Sequence, residues 1–163
     1  MNLPASNPSA RVASLHLHPL KAGEPFQDVP SIQLERDNGI AGNPRYYARR
    51  NREGQPTTRQ VSLIEREQLA EHAGALGLAT IAPGAVRANI ETVGINLVPL
   101  VGRKIQIGDA VLLLAAPRDP CDKMDLVCQG LRELMAPQKQ GVMAQVIQSG
   151  AVHTGDAVKI VSD

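Results

Sequence analysis

Short runs of alternating apolar and polar residues, separated by glycine and proline, constrain the fold of this chain more than any other feature. From Val12 the chain alternates, with Ala13, Leu15 and Leu17 on one side and Ser14, His16 and His18 on the other. A period of two residues is typical of a half-buried strand, since successive side chains point to opposite faces. The segment 31–35 repeats the pattern. We therefore predict a mainly β fold with a few helices rather than a doubly wound sheet.

Other segments add turns, strands and two helices to this prediction. Gly-Asp-Ala-Val occurs at 108–111 and again at 155–158, and Gly-Asp between apolar runs is typical of a tight turn. Further strands are predicted at 86–92, 112–114, 142–146 and 159–161. Ser62 and Glu65 match a capping box, which predicts a helix from there to Gly74 or Gly77. A second helix is expected to start after Pro120 and to run to about Met135.

Length and composition indicate one domain and exclude several functions. The 163 residues fit a single domain, with a loose tail at 1–10 and a folded domain at 11–163. A net charge of +1 and only three aromatic residues argue against a nucleic-acid binder. No apolar run is long enough to span a membrane, and the N-terminus has no targeting pattern. We expect a soluble cytoplasmic protein.

Cys121 is the most distinctive candidate for chemistry. It follows Arg118 and Pro120 near the predicted start of a helix, where unpaired amides and nearby cations stabilise a thiolate. A thiolate serves as a nucleophile, a sulfur carrier or a ligand for a soft metal. The alternative is an inert buried cysteine, which is our interpretation of Cys128. On one helix the two would lie about 10 Å apart, too far for a disulfide, so we expect free thiols.

Two further groups of polar residues have both a functional and a structural interpretation. The first is a cationic loop that either grips an anion or is simply solvated. Its members are Arg45, Arg49, Arg50, Arg52 and Arg59, with Glu53 as the one acid. The second is Arg87, Asn89 and Glu91, which would share one face of a strand, turned either to solvent or into a cavity. We interpret His16 and His18 as structural or exposed rather than as metal ligands.

Taken together, several of these segments resemble the MOSC domain, named for the C-terminal part of molybdenum cofactor sulfurase. The segment 83–90, Pro-Gly-Ala-Val-Arg-Ala-Asn-Ile, resembles a strand pattern of that family. The runs 100–102, 107–110, 117–118, 120–121 and 141–146 follow in the family's order, as do Gly150 and 155–156. The resemblance extends over roughly residues 12 to 161.

The resemblance implies a single MOSC-type β-barrel domain with Cys121 at its pocket. Cys121 would be the catalytic residue and the molybdenum ligand, or would carry sulfur as a persulfide. The resemblance implies molybdenum cofactor (molybdopterin), held permanently or transiently. The residues expected to bind it are Arg45, Arg59, Arg87, Asn89 and Arg118.

Three functions remain open. The first is a cofactor-binding or sulfur-carrier module acting with a sulfur-donor or sulfur-acceptor protein. The second is a molybdenum-dependent reductase of N-hydroxylated compounds that needs an external electron donor, and the third is a non-catalytic scaffold. The family often has Gly-Asp-x-His and Arg-Glu-Asn where this chain has Asn43, Arg45 and Ala88, losses that favour binding over reduction. The chain has no room for a pyridoxal-phosphate domain.

Overall fold

A computed structural model describes residues 9–162, in which two β-sheets are accompanied by three α-helices and one 3-10 helix. The strands are β1 Arg11–Leu17, β2 Gln27–Val29, β3 Ser31–Glu35, β4 Gly39–Ile40, β5 Val61–Glu65, β6 Ile90–Val93, β7 Lys104–Ile107, β8 Ala110–Pro117, β9 Val142–Gln148, β10 Gly150–His153 and β11 Val158–Ile160. The helices are α1 Arg66–Ala75, α2 Lys123–Val127 and α3 Leu131–Met135, with the 3-10 helix at Val98–Leu100. None of the helices within 9–162 is long and apolar enough to cross a membrane.

The larger sheet has eight strands in the order β11-β7-β8-β9-β5-β6-β1-β2, and the smaller has three in the order β10-β3-β4. Strands β5 and β6 of the larger sheet pair in parallel. Parallel neighbours need a crossover connection, and α1 lies in the segment that joins β5 to β6. The first Gly-Asp turn joins β7 to β8 as an antiparallel hairpin, as predicted. The second leads from β10 in the small sheet to β11 in the large one.

The mainly β fold with few helices is confirmed, but the predicted barrel is not. The sheets are not closed, and β11 and β2 are the edges of the larger one. The short strand β2 pairs with β1 at residues 15–17 and so occupies part of its free edge. An isolated bridge between Arg11 and Ala157 reaches from β1 toward β11. Closure would require a continuous ladder along that edge.

Two apolar cores lie on opposite faces of β5, all five residues of which are buried. Leu63 belongs to the main core between the strands. Ile64 belongs to a second core, packed with Leu69 of α1, Met124 of α2 and Leu131 of α3. Because side chains alternate along a strand, one central strand anchors both cores. The predicted tail lies outside the described residues except for Ser9 and Ala10.

The capping-box prediction at Ser62–Glu65 is wrong. This segment is the strand β5, and α1 begins only at Arg66, with no side-chain cap bond from Glu65. Ser62 lies opposite Met143 in the ladder with β9, so sheet pairing overrides the local helix signal. The predicted helix end is confirmed at Gly77, whose φ of 71° ends the helix.

Two other predicted elements are shorter than expected. The helix expected up to Met135 is broken into α2 and α3, because Cys128 is extended and Gly130 has a φ of 96°. The strand expected at 86–92 begins only at Ile90. Arg87 has a φ of 65°, which no strand allows. The strand predictions at 112–114 and 142–146 are confirmed by β8 and β9. The strand predicted at 159–161 is β11, which begins and ends one residue earlier.

Candidate functional site

A cavity of about 230 Å³ lies where several strands begin or end. His18 follows β1, Arg59 precedes β5, and Arg118 and Cys121 follow β8. Residues from the loop between β4 and β5, the turn before β6 and the start of β9 complete the wall. The lining includes Arg45, Tyr46, Gln60, Ser62, Arg87, Asn89, Asp119, Lys123, Met124, Gln140 and Met143. All six predicted site residues therefore lie in one cavity.

The cavity is strongly cationic although the chain is almost neutral. Among the described residues, its wall carries five cationic side chains and one acid, whereas the whole chain has a net charge of +1. The cations are Arg45, Arg59, Arg87, Arg118 and Lys123, and the acid is Asp119. Like charges repel, so this concentration is unfavourable unless an anion is bound, and it points to an anionic ligand.

Arg118 shows the strongest sign of a missing partner. Its backbone N–H donates to Gly141 O over 3.0 Å. One terminal nitrogen, Nη2, donates weakly to the carbonyls of Val86 and Arg87, at 3.4 Å each. The other, Nη1, is buried without any hydrogen-bond partner in the described part of the chain. Burial lowers the pKa of Arg118 to about 10, while the neighbouring Cys121 favours its charged form.

Cys121 lies in the loop between Arg118 and α2, with an exposed thiol on the cavity wall. The predicted position near a helix start is confirmed, but α2 has only five residues. The argument from the N-terminus of a helix therefore does not apply to Cys121. Cys128 is half-buried, and both thiols are free, as expected. The reason given for that expectation, a separation of about 10 Å along one helix, does not apply, because the helix is broken at Cys128.

Arg87 is held in an unusual backbone conformation at the edge of the cavity. Its φ of 65° is uncommon for a residue with a side chain. The guanidinium lies over the ring of Phe26, with Cζ 4.9 Å from the ring centre. Tyr46, also on the cavity wall, has a φ of 66°. Such strain clusters at functional sites, because it persists only where surrounding contacts impose it.

His18 is a pocket residue that sequence reasoning interpreted as structural or exposed. Asn43 Oδ1 accepts from the backbone N–H of His18 at 2.9 Å and lies 3.2 Å from its Nδ1. The ring lies between Phe26 and Tyr46, with centroid distances of 4.4 and 5.3 Å. Burial lowers the pKa of His18 to about 4, with further lowering by Arg87, Arg45 and Arg118. The imidazole is therefore neutral at pH 7.

The neutral ring presents a hydrogen-bond acceptor in a pocket of donors. Because Asn43 Oδ1 accepts only, Nδ1 carries the proton and Nε2 keeps its lone pair. Nε2 makes no hydrogen bond to residues 9–162. The buried amide of Asn43 fixes the histidine that follows β1 in place.

His16 and His18 do not form a metal pair. His16 Nδ1 lies 2.7 Å from Asp28 Oδ1 and its Nε2 lies 2.7 Å from Ser14 Oγ, in a network outside the cavity. Within residues 9–162, no group of three or more histidine, cysteine or acidic side chains is arranged to hold a metal ion. The interpretation of His16 as a structural residue is consistent with its burial.

Arg87, Asn89 and Glu91 do not share one strand face. Asn89 reaches the cavity wall, but its Oδ1 accepts from both the backbone N–H and the hydroxyl of Ser62. Its Nδ2 donates to His16 O at 3.0 Å, so Asn89 ties β1 to β5. Glu91 is fully buried and accepts from Arg66 Nε and Gly84 N. The interpretation in which these three side chains face solvent is therefore wrong, since Asn89 and Glu91 are buried.

The arginine loop divides between two roles. Arg45 and Arg59 reach the cavity, as expected. Arg49 lies over Tyr46, 5.2 Å from the ring centre, and Arg50 donates to Asp37 O and Asn38 Oδ1 instead. Counting charges along the loop could not separate these roles. Gln140 was missed altogether, and its buried Oε1 has no partner among residues 9–162.

Comparison with known proteins identifies the family of this chain. A family model described as the MOSC domain matches residues 29–159. The chain belongs to the MOSC domain family. The prediction made from the motifs is therefore confirmed, and the MOSC family is generally associated with molybdenum cofactor binding. No curated protein shows a significant match to the sequence.

Solved structures share the fold of this MOSC domain. The YuaD protein from Bacillus subtilis has a TM-score of 0.77 at 22% identity, covering 94% of this chain and 96% of that chain. YiiM from Geobacillus stearothermophilus has a TM-score of 0.67 at 15% identity, over 94% and 75% of the two chains. YiiM from Escherichia coli has a TM-score of 0.64 at 22% identity, covering 94% of this chain and 70% of that chain. At these identities the similarity shows the fold alone.

Proposed function

We propose that this MOSC domain binds molybdenum cofactor in the cationic cavity, with Cys121 as a metal ligand or as a transient carrier of sulfur. The observation that supports the proposal is the buried Nη1 of Arg118, unpartnered within 9–162, in a wall with five cations and an exposed thiol. A buried charged donor left without an acceptor is costly, and a ligand oxygen would relieve that cost.

The side chains present fit the chemistry of this cofactor. Arginine forks suit phosphate oxygens, and Arg45, Arg59, Arg87 and Arg118 are available to hold the phosphate of the pterin. The buried Oε1 of Gln140 and the Nε2 of His18, both without a partner within 9–162, are acceptors for ring N–H groups. The Cys121 thiolate is a suitable soft ligand for molybdenum. When bound, the cofactor supplies two-electron redox chemistry.

The carrier role of Cys121 requires a donor persulfide from another protein. The Cys121 thiolate attacks the outer sulfur of that persulfide, so a new S–S bond forms on Cys121 and the donor S–S bond breaks. The donor leaves as a thiolate and takes up the proton that Cys121 lost, with no net oxidation. Exposure of the thiol allows this approach, and the cationic wall attracts an anionic persulfide.

The reductase hypothesis requires a proton donor at the site, which cofactor binding and sulfur transport do not. The family histidine is absent at Arg45, and His18 is a weak base because its pKa is lowered to about 4. At pH 7 the ring accepts a hydrogen bond at Nε2, and almost none of it is in the imidazolium form that would donate a proton from that atom. Binding or sulfur transport therefore fits the cavity better than reduction.

The decisive experiment is molybdenum content by elemental mass spectrometry on protein purified from a host that makes the cofactor. Wild type is compared with Cys121→Ser and with Cys128→Ser, whose thiol lies outside the cavity wall. We expect near-stoichiometric molybdenum in wild type and in C128S, and loss in C121S. Metal retained in C121S would show that Cys121 is not a ligand.

A second readout separates cofactor binding from sulfur transport. If molybdenum is absent from all three proteins, cyanide-labile sulfur is measured on the same samples. Labile sulfur present in wild type and C128S but absent from C121S supports the carrier. Absence of both metal and labile sulfur would overturn the proposal.

A further inference from the structure

A second cavity of about 480 Å³ adjoins the cationic one and differs from it in character. Its wall is mainly apolar, from the loop before β2, the turn before β6 and the outer side of α2. The apolar lining includes Pro25, Phe26, Pro83, Ala85, Leu126 and Val127. We call this cavity the apolar groove. Its volume lies within the range typical of small-molecule sites, which are concave and mostly apolar.

The apolar groove and the cationic cavity share part of their walls. Arg87 and Lys123 line both. Phe26 of the groove packs against His18 of the cationic cavity, with ring centres 4.4 Å apart, and lies beneath the Arg87 guanidinium. The two cavities are therefore adjacent sites divided by a wall of Arg87 and Phe26. Arg87 itself has a left-handed backbone, with a φ of 65°.

The groove exposes apolar surface that the fold leaves uncovered. Leu126 is 86% exposed although it lies on the same short helix as the buried Met124. A leucine exposed singly is ordinary, but here it extends the apolar wall formed by Phe26, Pro83 and Val127. Covering this wall with a ligand would remove that area from water, which favours binding.

We propose that the apolar groove binds the apolar body of a small monoanionic molecule, such as an aromatic carboxylate or sulfonate. The anionic group lies at Arg87 and Lys123, on the boundary with the cavity that holds Cys121. Charge complementarity selects this class, because the cations at the boundary demand an anion and the groove beyond them is apolar. The acid of the groove, Glu24, disfavours a second anionic group. The proposal rests on the proposed function only in requiring that the cationic cavity attracts anions.

Two probes and two matched variants test this inference. The probes are 2-naphthalenesulfonate, which carries an apolar body, and methanesulfonate, which carries the same anionic group alone. The variants are Leu126→Gln in the groove and Leu20→Gln elsewhere, since Leu20 is 83% exposed and does not line the groove. Both side chains are on the surface, so both variants retain the fold. Affinities are measured by isothermal titration calorimetry at fixed salt.

We expect wild type to bind naphthalenesulfonate at least about tenfold more tightly than methanesulfonate, since the ring system buries apolar surface. L126Q should weaken naphthalenesulfonate binding by about fivefold to tenfold and leave methanesulfonate binding unchanged. L20Q should change neither. Equal affinity for the two probes, or an unchanged naphthalenesulfonate affinity in L126Q, would overturn the proposal and leave the groove to a partner protein.

Two further outcomes keep this inference separate from the proposed function. If naphthalenesulfonate binding responds to L126Q while wild type holds neither molybdenum nor labile sulfur, the groove proposal stands and the proposed function fails. If wild type holds molybdenum but does not bind naphthalenesulfonate, the proposed function stands and the groove proposal is overturned. If analytical ultracentrifugation shows that wild type self-associates and L126Q does not, the groove is an interface between copies, and the small-molecule proposal is overturned.

Discussion

At the scale of single residues, Arg118 is the group on which the candidate site depends most. It connects the end of β8 to the turn before β6 through Val86 and Arg87, and its Nη1 is unpaired within the described chain. Anchored by its backbone and by Nη2, the guanidinium loses little freedom when an anion binds. A preorganised, partly desolvated arginine therefore contributes more to anion affinity than the exposed Arg45 or Arg59.

Replacing Arg118 should weaken anion binding strongly. We expect Arg118→Gln to lower inorganic phosphate affinity by about tenfold to a hundredfold, since a hydrogen bond to a charged group contributes about 1.5–3 kcal/mol. Arg52→Gln is the matched control, because Arg52 is exposed and does not line the cavity. NMR titration with phosphate measures both, and circular dichroism checks that R118Q is folded. Equal affinities in the two variants would contradict an anion site at Arg118.

At the scale of elements, the residue that precedes β9 lies against the backbone of β5 where the site is built. Gly141 precedes β9 with a φ of 69°, and a Cβ placed there would lie 1.9 Å from Leu63 O. Its carbonyl accepts from Arg118 N, and its N–H donates to Gln68 at 3.1 Å. Because Gly141 has no side chain, the chain can pass close to β5 here and bond both to Arg118 of the site and to Gln68 of α1.

Two glycine substitutions separate backbone strain from this close approach. Gly102 has a φ of 92°, and a Cβ added to it would meet no described atom within 4 Å, so Gly102→Ala meets only the backbone cost. That cost is about 1–2 kcal/mol of unfolding free energy. Gly141→Ala adds a clash with the backbone of β5, and we expect little or no folded protein. Urea denaturation followed by circular dichroism measures both, and similar midpoints would show that β9 can move away.

At the scale of the whole molecule, two buried ionisable groups give stability opposite dependences on pH. His18 favours its neutral form, because burial lowers its pKa from 6.5 to about 4. Glu65 also favours its neutral form, because burial raises its pKa above the usual 4.5. Its Oε2 accepts from Leu97 N at 2.8 Å, and its Oε1 is buried without a partner in the described residues. Burial of His18 therefore lowers the stability of the fold in acid, and burial of Glu65 lowers it at higher pH.

His18 should lower stability in mild acid. The unfolded chain takes up a proton near pH 6.5 that the folded chain takes up only near pH 4, so unfolding free energy falls between those values. In His18→Gln that fall should shrink, whereas His153→Gln, altering an exposed histidine, should leave it unchanged. Denaturant titrations at pH 7 and pH 5 measure the difference. An unchanged slope in H18Q would contradict the lowered pKa.

Glu65 should act in the other direction. Its folded state keeps the proton to higher pH than the unfolded chain does, so its stabilising contribution is present below about pH 4.5. That contribution is lost as pH rises through the folded pKa. Glu65→Gln should therefore gain stability relative to wild type as pH is raised from 4.5 to 8, which denaturant titrations across that range measure. Parallel curves for the two proteins would contradict the prediction.

The sequence predicted the parts of the fold that depend on local pattern. Alternation located β1 and β3, glycine turns located the β7–β8 hairpin, and the motif order identified the family. It failed at Ser62, where a capping-box pattern lies in a buried strand paired with β9. It also failed at Arg87, whose left-handed backbone ends the alternation. At Ser62 tertiary contacts overrode a local preference of about 1 kcal/mol or less per residue. At Arg87 they overrode a backbone cost of about 1–2 kcal/mol.

By itself the sequence determined a mainly β MOSC domain in which Cys121 and several arginines are candidate site residues, because residue order and periodicity are local information. Only the tertiary structure decided that Arg45, Arg59, Arg87 and Arg118 meet Cys121 in one cavity while Arg50 turns away. It also decided that His18 enters the cavity, that the sheets stay open and that an apolar groove adjoins the site. These features depend on contacts between residues far apart in the chain, and no local pattern specifies such contacts.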